Sequence, residues 1–156
     1  MPEISGLMRG KRGLIMGVAN NRSIAWGIAR ACREHGADLA FTYQGDALKK
    51  RVEPLAEEVD GLVVGHCDVT DPASMDAVFA GVKSAWGSLD FLLHAIAFSD
   101  KDQLDGRYVD TTAENFANTM LISCYSLTAI AQRAEKLLTG GGSLVSLGFH
   151  VFGQCG

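Results

Sequence analysis

Short runs of apolar residues alternate along the chain with longer segments in which apolar residues recur at helical spacing. The runs predict five strands, over residues 14–18, 39–43, 62–64, 91–96 and 143–147. The first run, 14–18, is apolar without alternation, which is typical of a strand buried on both faces of a parallel sheet. Regular alternation of strand and helix with short connections predicts an α/β fold, a Rossmann-like doubly wound parallel sheet of about five strands.

Two of the predicted helices carry recognisable start signals. The first follows Ser23, a residue type that favours the N-cap position. Its apolar residues fall on one helical face: Ile24, Ile28, Ala31 and Cys32. The last predicted helical region opens at Thr111, which stands three residues before Glu114 as in a capping box, and continues to about Leu138.

The turn after the first strand is the first place to expect a ligand, because ligands of open parallel sheets lie beyond the carboxyl ends of the strands. The turn runs from Gly17 to Ser23. A glycine there lets a pyrophosphate approach the backbone, and the start of the following helix offers free N–H groups. A tight strand-to-helix turn with an ordinary serine cap is an equally good interpretation of the same residues.

Residues after the second and third strands have the chemistry of an adenosine site. Gln44 stands where many dinucleotide-binding folds place an acidic residue for the ribose. Its amide can hydrogen-bond the adenosine without repelling a 2′-phosphate, or it can lie exposed in a turn. The Asp68 carboxylate can accept from an adenine amino group while Val69 packs on the ring; alternatively, Asp68 supports the turn into the next helix. The basic residues 49–51 are more typical of a solvated helix face.

His94 lies within the fourth predicted strand, 91–96. It is interpreted as a hydrogen-bonded core histidine, because no second histidine lies at the spacing of a metal site. We therefore expect no metal ligands in this chain.

Composition and charge narrow the class of protein. The 156 residues are 47% hydrophobic and 21% charged, as in a soluble globular domain. A formal net charge of −4 argues against nucleic acid and anionic membranes as partners. The four cysteines have no C-x-x-C spacing, which favours a reduced, cytoplasmic chain. Neither a signal peptide nor an apolar run long enough to span a bilayer is visible.

Several motifs together resemble one family. The segment from Gly17 to Gly27 resembles the divergent cofactor loop of bacterial NADH-dependent enoyl-acyl-carrier-protein reductases, which belong to the short-chain dehydrogenase/reductase superfamily. Five further segments are similar to that family: 41–46, 67–69, 94–99, 103–108 and 122–126. The similarity covers about residues 5–147.

The resemblance implies an oxidoreductase of fatty acid biosynthesis. Such an enzyme uses NADH to reduce the 2,3 double bond of a trans-2-enoyl thioester carried on acyl carrier protein. The family also implies a homo-oligomer, a tetramer in its known members. A non-catalytic NAD-binding fragment or interaction module is the alternative that the sequence leaves open.

The resemblance also implies the residues of the site. Those implied to bind NADH are Gly17, Ser23, Ile24, Gln44, Asp68, Val69, Ala95, Ile96 and Ala97. Phe98 and Ser99 would lie nearer the substrate. Ala97 departs from the glycine commonly found at this position, which places one additional methyl group close to the cofactor.

The last residues depart from the family pattern. Phe149 stands where the family has a tyrosine in its active-site loop, and no later helix supplies the second tyrosine and the lysine. The last strands and helices of the family fold are missing as well, so we assign no catalytic residue. We expect an NAD-binding domain over 1–147 and a tail unlike the family over 148–156, and little or no reduction of enoyl thioesters by these residues alone. The fifth strand should form a sheet edge with exposed apolar surface.

Overall fold

Five parallel strands and five α-helices make up most of residues 3–148, which the computed structural model describes. The strands are β1 (Arg12–Met16), β2 (Asp38–Tyr43), β3 (Leu62–His66), β4 (Phe91–His94) and β5 (Ser143–Ser146). The helices are α1 (Ile24–Glu34), α2 (Gly45–Glu58), α3 (Pro72–Trp86), α4 (Ala113–Met120) and α5 (Ser126–Ala134). Short 3₁₀ turns at Lys101–Gln103 and Tyr108–Asp110 precede α4, and a π-helical turn, Leu121–Tyr125, joins α4 to α5.

The strand order is β3-β2-β1-β4-β5, with every pair parallel. The central strand is β1, in which Gly13 pairs with Leu39 on one side and Phe91 on the other. The chain winds outward from β1 to β3 and then returns to place β4 on the other side of β1. Strand order therefore reverses between β1 and β4, and the predicted doubly wound Rossmann-like sheet is confirmed.

The central strand supplies both halves of the core, because successive side chains of a strand point to opposite faces. Leu14 and Met16 pack into the hydrophobic cluster beneath α3 and α5. Ile15 packs into the second cluster, beneath α1 and α2. All three side chains are fully buried. The sheet thus lies between two helical layers, each with its own hydrophobic cluster.

The face through which helix α1 packs coincides only in part with the predicted one: Ile28 and Cys32 pack against the core as expected. Ala25, Trp26 and Ala29 are buried, whereas Ile24 is 70% exposed. The Trp26 ring lies 6.3 Å from the Phe41 ring of β2, centroid to centroid. The rotation of the helix on the sheet buries Trp26 and leaves Ile24 exposed, and this is favourable because the aromatic ring buries the larger apolar area.

The helical region before β5 also differs in detail from the prediction. Thr112, not Thr111, caps α4, and its hydroxyl oxygen accepts from the Asn115 N–H at 3.1 Å. The π turn at Leu121–Tyr125 then interrupts the region, and α5 ends at Ala134 rather than near residue 138. None of the helices in residues 3–148 has the length and apolarity needed to cross a membrane.

Candidate functional site

The carboxyl ends of β1, β2, β3 and β4 converge on a cleft of about 180 Å³ at the point where strand order reverses. Twelve residues line it: Gly17, Val18, Ala19, Thr42, Tyr43, Gln44, Leu48, Cys67, Val69, Ala95, Ile96 and Ala97. Six of the nine residues expected at the cofactor site are among them. Ser23, Ile24 and Asp68 are not part of this lining.

Gly17 brings the end of β1 against the end of β4. Its φ is +103°, a backbone conformation that side-chain-bearing residues rarely adopt. A Cβ at this position would overlap the carbonyl oxygen of Ala95. The Ala95 N–H donates to the Met16 carbonyl at 2.9 Å, so the two strand ends stay hydrogen-bonded where the cleft begins. Only glycine lets the backbone pass this closely.

Ser23 closes the loop before α1 instead of capping the helix. Its side chain makes no cap hydrogen bond with α1. Its oxygen accepts from the Ala19 N–H at 3.0 Å and from the Asn20 N–H at 3.1 Å. Because both bonds use oxygen lone pairs, the hydroxyl hydrogen is left to donate to a ligand. The expected cap is thus replaced by a loop closure that leaves the hydroxyl hydrogen without a protein acceptor among residues 3–148.

The start of α1 retains unused donors. Among residues 3–148, the N–H groups of Ile24 and Ala25 donate to no protein acceptor, whereas the Trp26 N–H donates to the Ser23 carbonyl at 3.0 Å. Unpaired N–H groups at a helix start, together with the positive end of the helix dipole, favour an anion. This end of the site therefore has the chemistry that a pyrophosphate requires.

Gln44 and its neighbours form the β2 side of the cleft. The Gln44 side chain is exposed and makes no cap bond with α2. Instead, the Gly45 N–H donates to Nδ1 of His66 at 3.0 Å, so a β3 side chain satisfies the first turn of α2. The Tyr43 ring lies 6.3 Å from the His66 ring and about 6.0 Å from Nζ of Lys49. Gln44 is consequently left free to contact a ligand.

Asp68 supports the turn that leads into α3, which is one of the two interpretations given for it from the sequence. Its Oδ1 accepts from the Thr70 N–H at 2.8 Å and from the Thr70 hydroxyl at 2.7 Å. These hydrogen bonds hold the pKa of the Asp68 carboxyl below its ordinary value. Its N–H donates to Oγ of Ser74 at 2.8 Å. The second carboxylate oxygen is not used in these bonds and keeps its capacity to accept.

A buried thiol and a valine form the floor beside Asp68. Val69 is 8% exposed and Cys67 is 6% exposed. Burial, and secondarily the charge of Asp68, raise the pKa of the Cys67 thiol to about 11. At neutral pH this part of the cleft is therefore uncharged and apolar, which suits a flat aromatic base.

The segment after β4 runs from the cleft to a second, larger cavity. Ala95, Ile96 and Ala97 line the cleft, whereas Phe98 lines a neighbouring cavity of about 830 Å³ between this segment and α4. The Ser99 hydroxyl oxygen accepts from the Asn115 amide and the Thr119 hydroxyl, both at 3.3 Å. Phe98 is thus open to a ligand, while Ser99 is held by α4.

His94 is a hydrogen-bonded core residue, as its surroundings in the sequence suggested. The ring is fully buried, with Nδ1 lying 3.0 Å from the Ser146 hydroxyl and Nε2 2.8 Å from the Ser126 hydroxyl. Burial lowers the pKa of the imidazole. Both ring nitrogens are occupied by hydroxyl partners, so neither is available to a metal ion.

Reasoning from the sequence missed several lining residues. Val18, Thr42 and Cys67 are buried and were not assigned to the site, and neither was His66, which caps α2. Their positions next to strand ends were the available signal, since Thr42 precedes Gln44 by two residues and Cys67 directly precedes Asp68. Apolar and hydroxyl side chains at such positions look like ordinary core residues in a sequence.

Comparisons with known proteins agree on one family. A family model described as enoyl-(acyl carrier protein) reductase matches residues 17–154. The chain is 62% identical over 150 residues to enoyl-acyl-carrier-protein reductase (NADH) 1 of Rhizobium meliloti, covering 96% of this chain and 55% of that protein. It is 56% identical over 146 residues to the NADH enoyl-acyl-carrier-protein reductase FabI of Rickettsia bellii, covering 94% and 56% respectively.

A solved structure shows the same likeness in three dimensions. The enoyl-acyl-carrier-protein reductase of Anaplasma phagocytophilum, determined in complex with NAD, superposes with a TM-score of 0.90 at 51% identity. The superposition covers 94% of this chain and 56% of that one. This chain spans about half the length of the curated relatives that it matches.

Proposed function

This chain belongs to the enoyl-acyl-carrier-protein reductase family, and we propose that it supplies the NADH-binding residues of an NADH-dependent enoyl-acyl-carrier-protein reductase of fatty acid biosynthesis. The observation that carries the proposal is the close passage of Gly17 and Ala95 at the strand-order reversal, beside the unpaired donors of α1. When bound, NADH supplies the hydride that reduces the double bond of an enoyl thioester.

The residues present fit the three parts of a dinucleotide: the pyrophosphate, the adenosine and the nicotinamide end. The Ser23 hydroxyl and the N–H of Ile24 are donors for the pyrophosphate, which passes over Gly17. Gln44 and the second oxygen of Asp68 are polar partners for the adenosine, and Val69 is the apolar one. Ala95, Ile96 and Ala97 bind the ribose and nicotinamide end; these three line the cleft, and the two alanines leave room for the cofactor.

The substrate binds beyond the nicotinamide end. Phe98 is 48% exposed, and it lines the 830 Å³ cavity next to the cleft. A cavity of this size lies within the range of about 300–1,000 Å³ that small-molecule sites occupy. We assign Phe98 and Ser99 to the acyl substrate, which is presented on acyl carrier protein, and we assign no catalytic residue within these 156 residues.

The protein is proposed to act as a cytoplasmic homo-oligomer. Helix α4 and the π turn expose large apolar side chains that a partner subunit would cover: Phe116, Met120, Leu121 and Tyr125, each 40–53% exposed. Cys32, Cys67 and Cys124 are free thiols, which suits a reducing compartment. Sedimentation of the wild-type chain beside Phe116→Asp tests the assembly: the variant should dissociate to a smaller species, and identical sedimentation would contradict this interface.

Thermal unfolding with added NADH tests the cofactor site directly. At a hundredfold excess over Kd, a ligand that binds only the folded chain stabilises it by about 2.7 kcal/mol. For a protein of this size we expect Tm to rise by roughly 5–10 °C. An unchanged Tm at millimolar NADH would overturn the proposal.

A pair of serine variants assigns that effect to the site. Ser23→Ala removes the hydroxyl donor and should weaken NADH binding by about tenfold. Ser84→Ala changes an exposed serine of α3, away from the cleft, and should leave the affinity unchanged. Equal affinities for the two variants would contradict the role of Ser23.

A further inference from the structure

Ser123 binds both backbone groups of one residue in the segment after β4. Its oxygen accepts from the Phe98 N–H at 2.9 Å, and its hydroxyl donates to the Phe98 carbonyl at 3.1 Å. One hydroxyl carries out both tasks because it has one hydrogen and two lone pairs. The φ and ψ angles of Phe98, between the cleft and the larger cavity, are fixed from the side of the π turn.

Ser123 is the last member of a polar stripe on one helical face. Asn115, Thr119 and Ser123 are spaced four residues apart, so their side chains lie on the same side of the helix. All three hold the segment after β4: Asn115 accepts from the Asp100 N–H at 3.0 Å through Oδ1, and both Asn115 and Thr119 donate to the Ser99 hydroxyl.

The π turn separates this stripe from the face that meets the sheet. An additional residue in a helix rotates the following side chains by about 100° relative to those before it. Beyond the turn, Ser126 and Ile130 are fully buried against the core. The turn therefore lets one helical region bind the β4 segment with its first half and the sheet with its second.

A series of hydrogen bonds that passes through the buried His94 ring holds the turn in place. The Ser126 hydroxyl lies 2.6 Å from the Ile122 carbonyl, which can only accept, so the hydroxyl hydrogen is donated there. Ser126 must then accept from Nε2–H of His94, and Nδ1 of His94 must accept from the Ser146 hydroxyl. The tautomer of His94 is thereby determined, and the π turn is tied through it to β4 and β5.

We propose that Ser123 is a positioning residue of the ligand site and that the chain Ser146–His94–Ser126 holds the π turn in the register that Ser123 needs. The proposal rests on the proposed function for the identity of the ligand, since the clamped segment leads directly into Ala97 at the nicotinamide end. The hydrogen bonds between Ser123 and Phe98, and those that hold the π turn, do not depend on the identity of the ligand. Removing Ser126, which does not touch Phe98, should therefore loosen Phe98.

Amide hydrogen exchange of the wild-type chain and three variants tests this coupling without any ligand. Ser123→Ala removes the acceptor and should accelerate exchange of the Phe98 N–H by at least about tenfold. Ser126→Ala should accelerate the same N–H by a similar factor. The control Ser84→Ala lies in α3 and should leave it unchanged. If Ser126→Ala keeps the Phe98 rate within twofold of wild type, the coupling is disproved.

Two measurements keep the test decisive if Ser126→Ala fails to fold. Ser146→Ala changes the exposed residue at which the series of hydrogen bonds begins, and it should also accelerate exchange of the Phe98 N–H. Nitrogen NMR of wild-type His94 should show a protonated Nε2 and an unprotonated Nδ1; the opposite tautomer would overturn the assigned direction of the chain.

NADH titration of the same variants separates this inference from the proposed function. Ser123→Ala and Ser126→Ala should both weaken NADH binding, by about three- to tenfold, while Ser84→Ala binds like wild type. If wild-type protein does not bind NADH, the proposed function fails, whereas the coupling between Ser126 and Phe98 is decided by exchange alone. Weakened exchange protection with unchanged NADH affinity would contradict the positioning role.

Discussion

A side chain on Gly17 would occupy the space of the Ala95 carbonyl oxygen, so the first and fourth strands can approach only because residue 17 has none. Gly17→Ala adds a Cβ there and a residue that disfavours φ of +103°. We expect a loss of more than about 2 kcal/mol of unfolding free energy, together with loss of NADH binding. Urea denaturation and NADH titration measure the two effects.

Gly27 provides the matched control for that substitution. It lies inside α1, and a Cβ built on it meets nothing within 4 Å. Gly27→Ala should therefore stabilise the chain, by about 0.5–1 kcal/mol, because alanine is the better helix former. Equal destabilisation by both substitutions would mean that the passage between Gly17 and Ala95 has no special constraint.

Acidification should destabilise the fold through His94. Burial lowers its pKa below the ordinary 6.5, so the unfolded chain takes up a proton at a higher pH than the folded chain does. Stability is fully present above pH 6.5 and falls as the pH decreases toward the folded-state pKa. Urea midpoints at pH 7.5 and 5.5 measure the loss.

Two histidine variants identify the group responsible. Within residues 3–148 the His35 side chain hydrogen-bonds only the Ser5 hydroxyl, and His35→Gln should leave the contribution of His94 in place. His94→Asn should be less stable at every pH but should lose part of the dependence. A wild-type midpoint that does not change between the two pH values would contradict the prediction.

Cys67 should resist thiol reagents. With its pKa raised to about 11 from 9.0, its thiolate fraction is about a hundredfold below that of an unperturbed thiol. Iodoacetamide at pH 8 should therefore label the exposed Cys124 first, with Cys67 modified only after unfolding. Mass spectrometry of the digested peptides gives both rates, and labelling of Cys67 as fast as Cys124 would contradict its burial.

Asp71 and Ser23 should differ in what they support, although both precede a helix. Oδ1 of Asp71 accepts from the Ala73 N–H at 3.0 Å and caps α3. Asp71→Ala should cost about 1 kcal/mol of stability without changing NADH affinity. Ser23→Ala should chiefly change NADH affinity, because it caps no helix. Denaturation and titration of both variants check this contrast, which fails if Asp71→Ala also weakens NADH binding.

The parts of the molecule that depend on local sequence were predictable. Strand and helix alternation gave the doubly wound order, and the glycine turn after β1 located the cleft, because both follow from periodicity and backbone sterics. The role of Ser23 was not predictable, since a serine that caps a helix and one that closes the preceding loop occupy the same position. The face of α1 was predicted only in part, because the burial of Trp26 depends on its packing against Phe41 of a distant strand.

Contacts between distant residues were beyond the sequence patterns. His94 lies 32 residues from Ser126 and 52 from Ser146, and nothing in their local sequence pairs them. The π turn was not predicted either, because the sequence was interpreted as one continuous helical region up to about Leu138. The expected domain boundary at 147 remains a prediction, and the expectation about Phe149 concerns a residue outside 3–148. Exposure of Val145 on β5, at 48%, agrees with the expected sheet edge.

The strand-order reversal also dictates when the cleft can exist during synthesis. Its walls come from residues 17–19 on one side and 95–97 on the other. While the ribosome has released only β1 to β3, the free edge of β1 has no neighbour, and closing the intervening loop must wait for β4 to emerge. A nascent chain shorter than about residue 97 therefore lacks one wall of the cleft, and no ligand can occupy the complete cleft until β4 and the residues after it have left the ribosome.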